Sequence, residues 1–341
     1  MRGGSSSRTT LVDVARAAGV SASTVSRVLH GGAGVRDEVA DRVRAAASEL
    51  GYSVNRQARS LRRGRDEAIG LALEDFTIPF FGRIVAVVEQ AAHERGYGVV
   101  ISCAGAGRSE DEAVAPLLSR SVSGLVVATG TAGAPLGYLE RVAHDLPVVQ
   151  VDAAAPSAVS DSVGIDNLHA GRLITEHVVA AGHREVLFLG SGPAASTVQL
   201  RAEGYRQAVL AAGGTPRVEW LGYVPTEAAA RAAEALRSHP DVTAVVSGVA
   251  RATMGSLSAL RTLGLGHLAF AAVDDLAGLD AFEPGITVLE QDVEAIGARA
   301  ADLLFDRIGG YQGPPRHIEV DLQLLQRGSA ERAPATAVTS P

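Results

Sequence analysis

The chain has 341 residues, of which 47% are hydrophobic and 20% are charged, as is typical of a globular protein. One compact core seldom holds so long a chain, so we expect two or three domains. The single cysteine, Cys103, excludes an internal disulfide framework. The segment MRGGSSSRTT lacks the apolar centre of a signal peptide, and no apolar run approaches the about 18 residues of a membrane span. We therefore expect a cytoplasmic protein with no membrane partner.

Charge is divided unevenly along the chain. Residues 1–65 hold 12 arginines against five acidic residues, a net charge of +7, whereas residues 66–341 hold 19 arginines against 33 acidic residues. This asymmetry indicates that only the N-terminal part meets a polyanion, although a basic solvated tail would give the same charge. The chain contains no lysine, which excludes a phosphate-loop lysine and Schiff-base chemistry.

Three short helical patterns follow a Gly/Ser-rich segment, residues 1–8, that is predicted to be disordered. The first pattern ends at Gly19, and the second begins at Ser21 or Ala22. The third runs from about Asp37 to Leu50. A tight turn between the first two helices is typical of a helix-turn-helix, in which the second helix enters the major groove of DNA. An ordinary helical hairpin is the alternative.

From residue 68 onward, short apolar runs alternate with amphipathic helices. This alternation predicts parallel sheets covered by helices on both faces, and its length predicts two such lobes. Residues 329–341 are predicted to be a disordered tail. The apolar runs are AIGLAL (68–73), GVVIS (98–102), GLVVA (124–128), PVVQVD (147–152), EVLFLG (185–190), AVVSG (244–248) and LAFAAVD (268–274).

Several of these segments carry a family resemblance. TLVDVARAAGVSASTVSRVL (10–29), ELGYSVNRQARSLRRGR (49–65), IGLALEDFTIPFF (69–81) and ITVLEQDVEAIGARAADLLF (286–305) resemble the LacI/GalR family of bacterial repressors. The resemblance implies an all-α helix-turn-helix domain at 9–54, a hinge at 55–65 and a two-lobed α/β body at 66–328 that is similar to periplasmic binding proteins. It assigns about 66–163 and 292–322 to the N-lobe, and about 164–291 and 323–328 to the C-lobe.

The resemblance also implies a homodimer on a pseudo-palindromic, double-stranded operator, with repression as the usual outcome. In the second helix, Arg27 can donate a bidentate pair to guanine, while hydroxyl groups suit phosphate oxygens. The hinge would insert Leu61 into the minor groove as a wedge, although a plain linker is the alternative. The expected DNA-binding residues are Thr10, Ser21, Ala22, Ser23, Thr24, Ser26, Arg27, His30, Asn55, Arg56, Ala58, Arg59 and Leu61.

A small-molecule effector, such as a sugar, is expected between the two lobes, beyond the carboxyl ends of the strands. Arg201 is the strongest candidate because a planar guanidinium grips a carboxylate or a pair of hydroxyl groups. Each aspartate could instead be a helix cap or an ion-pair partner, and the phenylalanines could belong to the core. The expected effector-binding residues are Ile78, Phe80, Phe81, Ile84, Asp152, Asp166, Arg201, Asp274 and Gln291.

The sequence departs from the family pattern at several expected sugar contacts. Ile78-Pro79 replaces Asn-Pro, Val249-Ala250 replaces Asn-Asp, and Ala128 ends the strand GLVVA. We therefore expect a more apolar pocket than that of a typical sugar sensor, and either an atypical effector or none.

Catalysis and cofactor binding are not expected. The nine histidines lack metal-ligand spacing, and no nucleophile elbow of the G-x-S-x-G type occurs. The loop GSGPAAS (190–196) lacks the full dinucleotide fingerprint. The predicted function is therefore a transcriptional regulator with no metal and no cofactor. A stand-alone small-molecule-binding protein is the alternative.

Overall fold

The computed structural model describes residues 9–29, 35–50, 68–104, 110–128, 136–153, 157–193 and 195–334. The chain divides into two compact units, Met1–Asp66 and Glu67–Pro341. No helix in these described ranges is long and apolar enough to cross a membrane.

Three helices form the N-terminal unit: α1 Leu11–Ala18, α2 Ala22–Leu29 and α3 Asp37–Glu49. Val14, Val25 and Val43 contribute one fully buried side chain from each helix, which makes a small common core. Gly19 ends α1 with φ +64°, a left-handed conformation that glycine adopts without a Cβ penalty. Three residues therefore separate α1 from α2, as the helix-turn-helix prediction requires.

The second unit contains two lobes, each built on a six-stranded sheet. In the N-lobe all neighbouring strands run parallel. Its strands are β1 Ala68–Leu73, β2 Gly98–Cys103, β3 Leu125–Ala128, β4 Val148–Val151, β5 Asp161–Gly164 and β11 His317–Glu319, in the spatial order β11-β5-β4-β3-β1-β2. Its helices are α4 Pro79–Glu94, α5 Glu110–Leu118, α6 Leu136–Asp145 and α11 Val293–Ile308.

The C-lobe sheet is parallel except for its last pair, β10 with β12. Its strands are β6 Val186–Gly190, β7 Arg217–Trp220, β8 Ala244–Ser247, β9 Ala269–Val273, β10 Thr287–Gln291 and β12 Leu322–Leu325, in the order β12-β10-β9-β8-β6-β7. Its helices are α7 Asn167–Ala180, α8 Ser196–Ala211, α9 Pro225–Ser238 and α10 Ala250–Leu263. The continuous apolar strands are buried on both faces, as parallel sheets require, so the predicted α/β fold class is confirmed.

Two glycines bring α7 and α8 unusually close together. A Cβ on Gly171 would lie 1.9 Å from the carbonyl oxygen of Arg201, and one on Gly204 would lie 2.0 Å from that of Leu168. Any side chain at either position would force the helices apart. Because Arg201 belongs to α8, this close packing of the two helices also sets its position in the lobe.

The chain beyond residue 328 differs from the expected disordered tail. Ser329 and Ala330 are 4% and 0% exposed, and Ser329 Oγ donates to the carbonyl of Phe270 at 2.5 Å while accepting from the amide of Thr287 at 2.8 Å. The prediction is therefore wrong for residues 329–334, because composition cannot reveal that these small residues dock against β9 and β10. Residues 335–341 lie outside the described ranges.

Candidate functional site

The second helix of the N-terminal unit presents a polar face. Val25 and Val28 point into the core, whereas Ala22, Ser23 and Arg27 are exposed. Thr24 and Ser26 are half-buried at the edge of this face. The exposed guanidinium of Arg27 and the small side chains at the N-terminal end of α2 are suited to contact base edges in a major groove.

Two of the expected DNA-contacting hydroxyl groups also cap helices. Thr10 Oγ1 accepts from the amide of Asp13, and the backbone amide of Thr10 donates to the Asp13 carboxylate at 2.9 Å, which forms a capping box at the start of α1. Thr10 Oγ1 also donates to this carboxylate at 2.6 Å. The hydrogen bonds from Thr10 hold the pKa of Asp13 below its ordinary value. Ser21 Oγ accepts from the amide of Thr24 at 3.1 Å and so caps α2. These hydroxyl groups therefore stabilise the helices that carry the face.

The remaining DNA-contact predictions lie outside the described residues. They are His30 and the hinge positions Asn55, Arg56, Ala58, Arg59 and Leu61.

A narrow cavity of about 50 Å³ lies between the two lobes, at the carboxyl ends of their strands. Its lining includes most of the predicted effector-binding residues, namely Ile78, Phe80, Phe81, Asp152, Arg201, Asp274 and Gln291. Phe80 and Phe81 meet edge to face at 5.2 Å between ring centroids. The glycine-rich loop after β6 also reaches the cavity, through Ser191 and Ala195.

Arg201 is one of the lining residues and is 3% exposed. Its Nε donates to Asn167 Oδ1 at 2.8 Å, and a terminal nitrogen donates to the carbonyl of Gly248 at 2.9 Å. The same guanidinium lies 3.6 Å from a carboxylate oxygen of Asp274 and 4.0 Å from one of Asp152. These fixed partners orient the planar group toward the cavity.

Both aspartates beside Arg201 adopt left-handed backbone conformations. The φ angles are +55° for Asp152 and +76° for Asp274, values that are uncommon for residues other than glycine. Backbone strain of this kind is concentrated at functional sites. Gln291 donates to Asp274 Oδ1 at 2.5 Å, whereas Asp152 Oδ1 is buried with no hydrogen-bond donor in the described structure. Burial raises the pKa of Asp152 to about 7.

The structure adds two charged residues that the sequence analysis missed. Glu74 follows β1 in the N-lobe, Arg251 lies in the first turn of α10 in the C-lobe, and both line the cavity. Arg251 is 3.6 Å from Glu74 and 3.8 Å from Asp75, so ion pairs cross the cleft. Burial raises the pKa of Glu74. Both residues follow apolar strands, AIGLAL and AVVSG, and this position could have identified them.

Two predicted effector contacts lie elsewhere. Ile84 is fully buried in the N-lobe core, because its position on α4 faces the sheet and not the cleft. Asp166 is exposed and caps α7 by accepting from the amide of His169 at 2.8 Å. The helix-cap alternative therefore describes Asp166.

The family departures do not make the pocket simply apolar. Val249 and Ala250 do line it, but Glu74, Asp152, Asp274, Arg201 and Arg251 line it as well. A pocket more apolar than that of a typical sugar sensor stays a prediction, and the charged residues of the lining were not part of the reasoning behind it.

Sequence models of two families match the chain. Residues 10–55 match the bacterial regulatory proteins of the lacI family, and residues 66–327 match the periplasmic binding proteins and sugar-binding domain of the LacI family. The chain belongs to the LacI family. The resemblance in the sequence is thereby confirmed over nearly the whole chain.

Relatives within the LacI family share both domains with this chain. The regulator PtxS of Pseudomonas plecoglossicida is 34% identical over 94% of this chain and 96% of its own length, and MalI of Escherichia coli K12 is 31% identical over 93% and 97%. A lac repressor dimer, solved with operator and the anti-inducer ONPF, is 26% identical with a TM-score of 0.83 and covers 95% of this chain and 99% of its own. A complex of the regulator CelR with cellobiose is 30% identical, with a TM-score of 0.69, over 94% of this chain and 100% of its own.

Proposed function

We propose that this LacI-family chain is a transcriptional regulator that binds a pseudo-palindromic operator as a homodimer, usually as a repressor. One observation carries the proposal: a single chain joins a helix-turn-helix with an exposed Arg27 to a two-lobed body with a charged inter-lobe cavity. A two-fold symmetric dimer presents two such helices to two half-sites about one helical turn apart.

The inter-lobe cavity is the proposed effector site. The names of solved relatives record cellobiose, the anti-inducer ONPF and ONPG as their ligands. In this chain Arg201 of α8 meets Asp152 and Asp274, which follow strand ends, and this convergence supports a ligand rich in hydroxyl groups, a sugar or a related metabolite. The cavity is narrow, so the lobes have to part to admit such a ligand.

Effector and operator are coupled through the relative position of the lobes. A ligand shifts this equilibrium only as far as its affinities for the two arrangements differ. The coupling in such systems is typically about 1–3 kcal/mol, which changes operator affinity by roughly 5- to 150-fold.

A stand-alone small-molecule-binding protein is the second candidate function. It would account for the cavity but not for the DNA-binding face of α2. The relatives carry names of regulators and not of enzymes, which supports a role without catalysis.

A mobility-shift assay with full-length protein and DNA fragments from around its own gene tests the proposal. We expect at least one fragment to be retarded in the presence of excess competitor DNA. Arg27→Ala should weaken this retardation, because one base contact in each half-site loses about 1–3 kcal/mol of discrimination. Arg44→Ala, which removes the same charge from an exposed site on α3, should largely retain it. Failure of every fragment to bind, or equal losses in the two variants, would contradict operator recognition through α2.

A further inference from the structure

The inter-lobe cavity carries more negative than positive charge. Its ionisable lining residues are the carboxylates of Glu74, Asp152 and Asp274 and the guanidinium groups of Arg201 and Arg251, which give a formal net charge of −1. Asp75 lies just beyond the lining and faces Arg251 as well. In a partly desolvated cleft, an uncompensated charge of this kind is costly.

Both guanidinium groups already have partners. Arg251 is shared between Glu74 and Asp75, at 3.6 and 3.8 Å. Arg201 faces Asp274 at 3.6 Å and Asp152 at 4.0 Å, and donates to Asn167 and the Gly248 carbonyl. Four carboxylates thus share two guanidinium groups. The cavity therefore has an excess of negative charge.

Asp152 is where this excess is concentrated. Its Oδ1 atom is buried, receives no hydrogen bond in the described structure and has its closest cationic nitrogen at 4.0 Å. Glu74 and Asp274 both repel its negative charge, and Arg201 alone opposes them. A buried carboxylate oxygen without a donor is a position that a ligand donor would complete.

We propose that the effector of this cleft is a hydroxylated amine whose ammonium group binds Asp152. This inference rests on the proposed effector site and specifies its ligand class. The ammonium nitrogen donates to Asp152 Oδ1 and supplies the positive charge that the cavity lacks, while hydroxyl groups contact Arg201 and Gln291.

Neutral and anionic ligands fit this charge distribution less well. A neutral polyol can donate to Asp152 but leaves the net charge of the cavity at −1. A sugar acid makes that charge more negative, and it can engage Arg201 or Arg251 only in competition with their present carboxylate partners. We therefore expect the cavity to bind a hydroxylated amine most tightly, a neutral polyol less tightly and a sugar acid least tightly.

Three small compounds of similar shape test this order on the full-length protein in phosphate buffer. They are tris(hydroxymethyl)aminomethane, its neutral counterpart pentaerythritol and the anion 2,2-bis(hydroxymethyl)propionate. Glucosamine and glucose form a second, larger pair. Calorimetric titration should give Kd values at least about tenfold lower for each amine than for its neutral counterpart, as expected for one charge-assisted hydrogen bond.

Asp152→Asn should remove this preference, because the amide keeps the shape of the side chain and loses its charge. Asp145→Asn, an exposed change on α6, is the matched control and should leave it intact. The preference should also grow from about pH 6 to about pH 7.5, as Asp152 ionises against Glu74, Asp274 and Arg201. A merely structural role of Asp152 would not produce this dependence on ligand charge.

Equal affinities within both pairs, tighter binding of the anion, or no binding of either amine would overturn the proposal. Operator binding is measured on the same preparation. Intact operator binding without an amine preference rejects the ligand class alone. An amine preference without operator binding rejects the regulatory function alone.

Discussion

Arg251 of the C-lobe lies 3.6 Å from Glu74 of the N-lobe, so an ion pair joins the two lobes across the cavity. Arg251 is only 11% exposed, and its other carboxylate partner is Asp75 at 3.8 Å. Solvent therefore screens this ion pair less than it screens a pair on the surface. The pair stabilises the closed arrangement of the two lobes.

Arg251→Gln should weaken this closure. Two carboxylates would lose their shared cation, and the free energy of unfolding should fall by about 1–3 kcal/mol. Urea unfolding measures the loss, and small-angle scattering should report a larger radius of gyration. Arg261→Gln, an exposed change in the last turn of α10, is the control. Identical stability and radius of gyration in the two variants would show that the ion pair does not hold the lobes together.

Asp152 should make stability depend on pH. Its pKa is about 7 in the folded protein because of burial, against about 3.9 in an unfolded chain. Between these values the folded state binds a proton that the unfolded state lacks, so the free energy of unfolding decreases as pH rises from about 4 to about 7. Relative to Asp152→Asn, the wild type should lose on the order of 3 kcal/mol over this range. Urea unfolding at several pH values gives both curves, and parallel curves would contradict the assignment.

Gly204→Ala should disturb both stability and the ligand site. The added Cβ would meet the Leu168 carbonyl at 2.0 Å, so α7 and α8 must separate, at a cost of about 1–3 kcal/mol. Arg201 lies one turn earlier on α8 and would shift with it. Thermal unfolding and ligand titration should both register the change. Gly266→Ala, where a Cβ meets open space, should alter neither.

Thr10→Ala should loosen the first helix of the DNA-binding unit. Loss of the capping box costs about 1 kcal/mol, because the amide of Asp13 loses its acceptor. Hydrogen exchange on the full-length protein should be faster across residues 11–18. Thr10→Ser retains the hydroxyl group and should exchange like the wild type. Equal hydrogen-exchange rates in all three proteins would contradict a stabilising role of the Thr10 cap.

The apolar runs predicted most of the central strands and one of the edge strands, β2. AIGLAL, GLVVA, EVLFLG and LAFAAVD are continuous apolar runs, because each is covered on both faces. The strands β5, β7, β10, β11 and β12 were not identified as apolar runs, although β10 is a five-residue strand inside the C-lobe sheet. Apart from β10, these strands are three or four residues long, and β7, β11 and β12 are half-exposed, as in RVEW and HIE. Hydrophobicity alone therefore cannot separate them from loops.

Most of the residues that line the cleft were predicted from the sequence, but two of its charged residues were not. Arg201, Asp152 and Asp274 were predicted from family motifs, and the two aspartates also from their positions at strand ends. Glu74 and Arg251 are far apart in sequence, and their pairing depends on how the two lobes face each other. The prediction that Ile84 contacts the effector was wrong for a related reason: only the packed structure shows which face of α4 meets the sheet.

Selection of full-length protein against a random pool of duplex DNA tests the central claim most directly. Sequencing of the retained duplexes should recover one pseudo-palindromic motif with half-sites about one helical turn apart. Arg27→Ala should relax the preference at one matching position in each half-site, with roughly 1–3 kcal/mol of base discrimination lost. Recovery of no motif, or an identical motif from the wild type and Arg27→Ala, would contradict operator recognition by this helix.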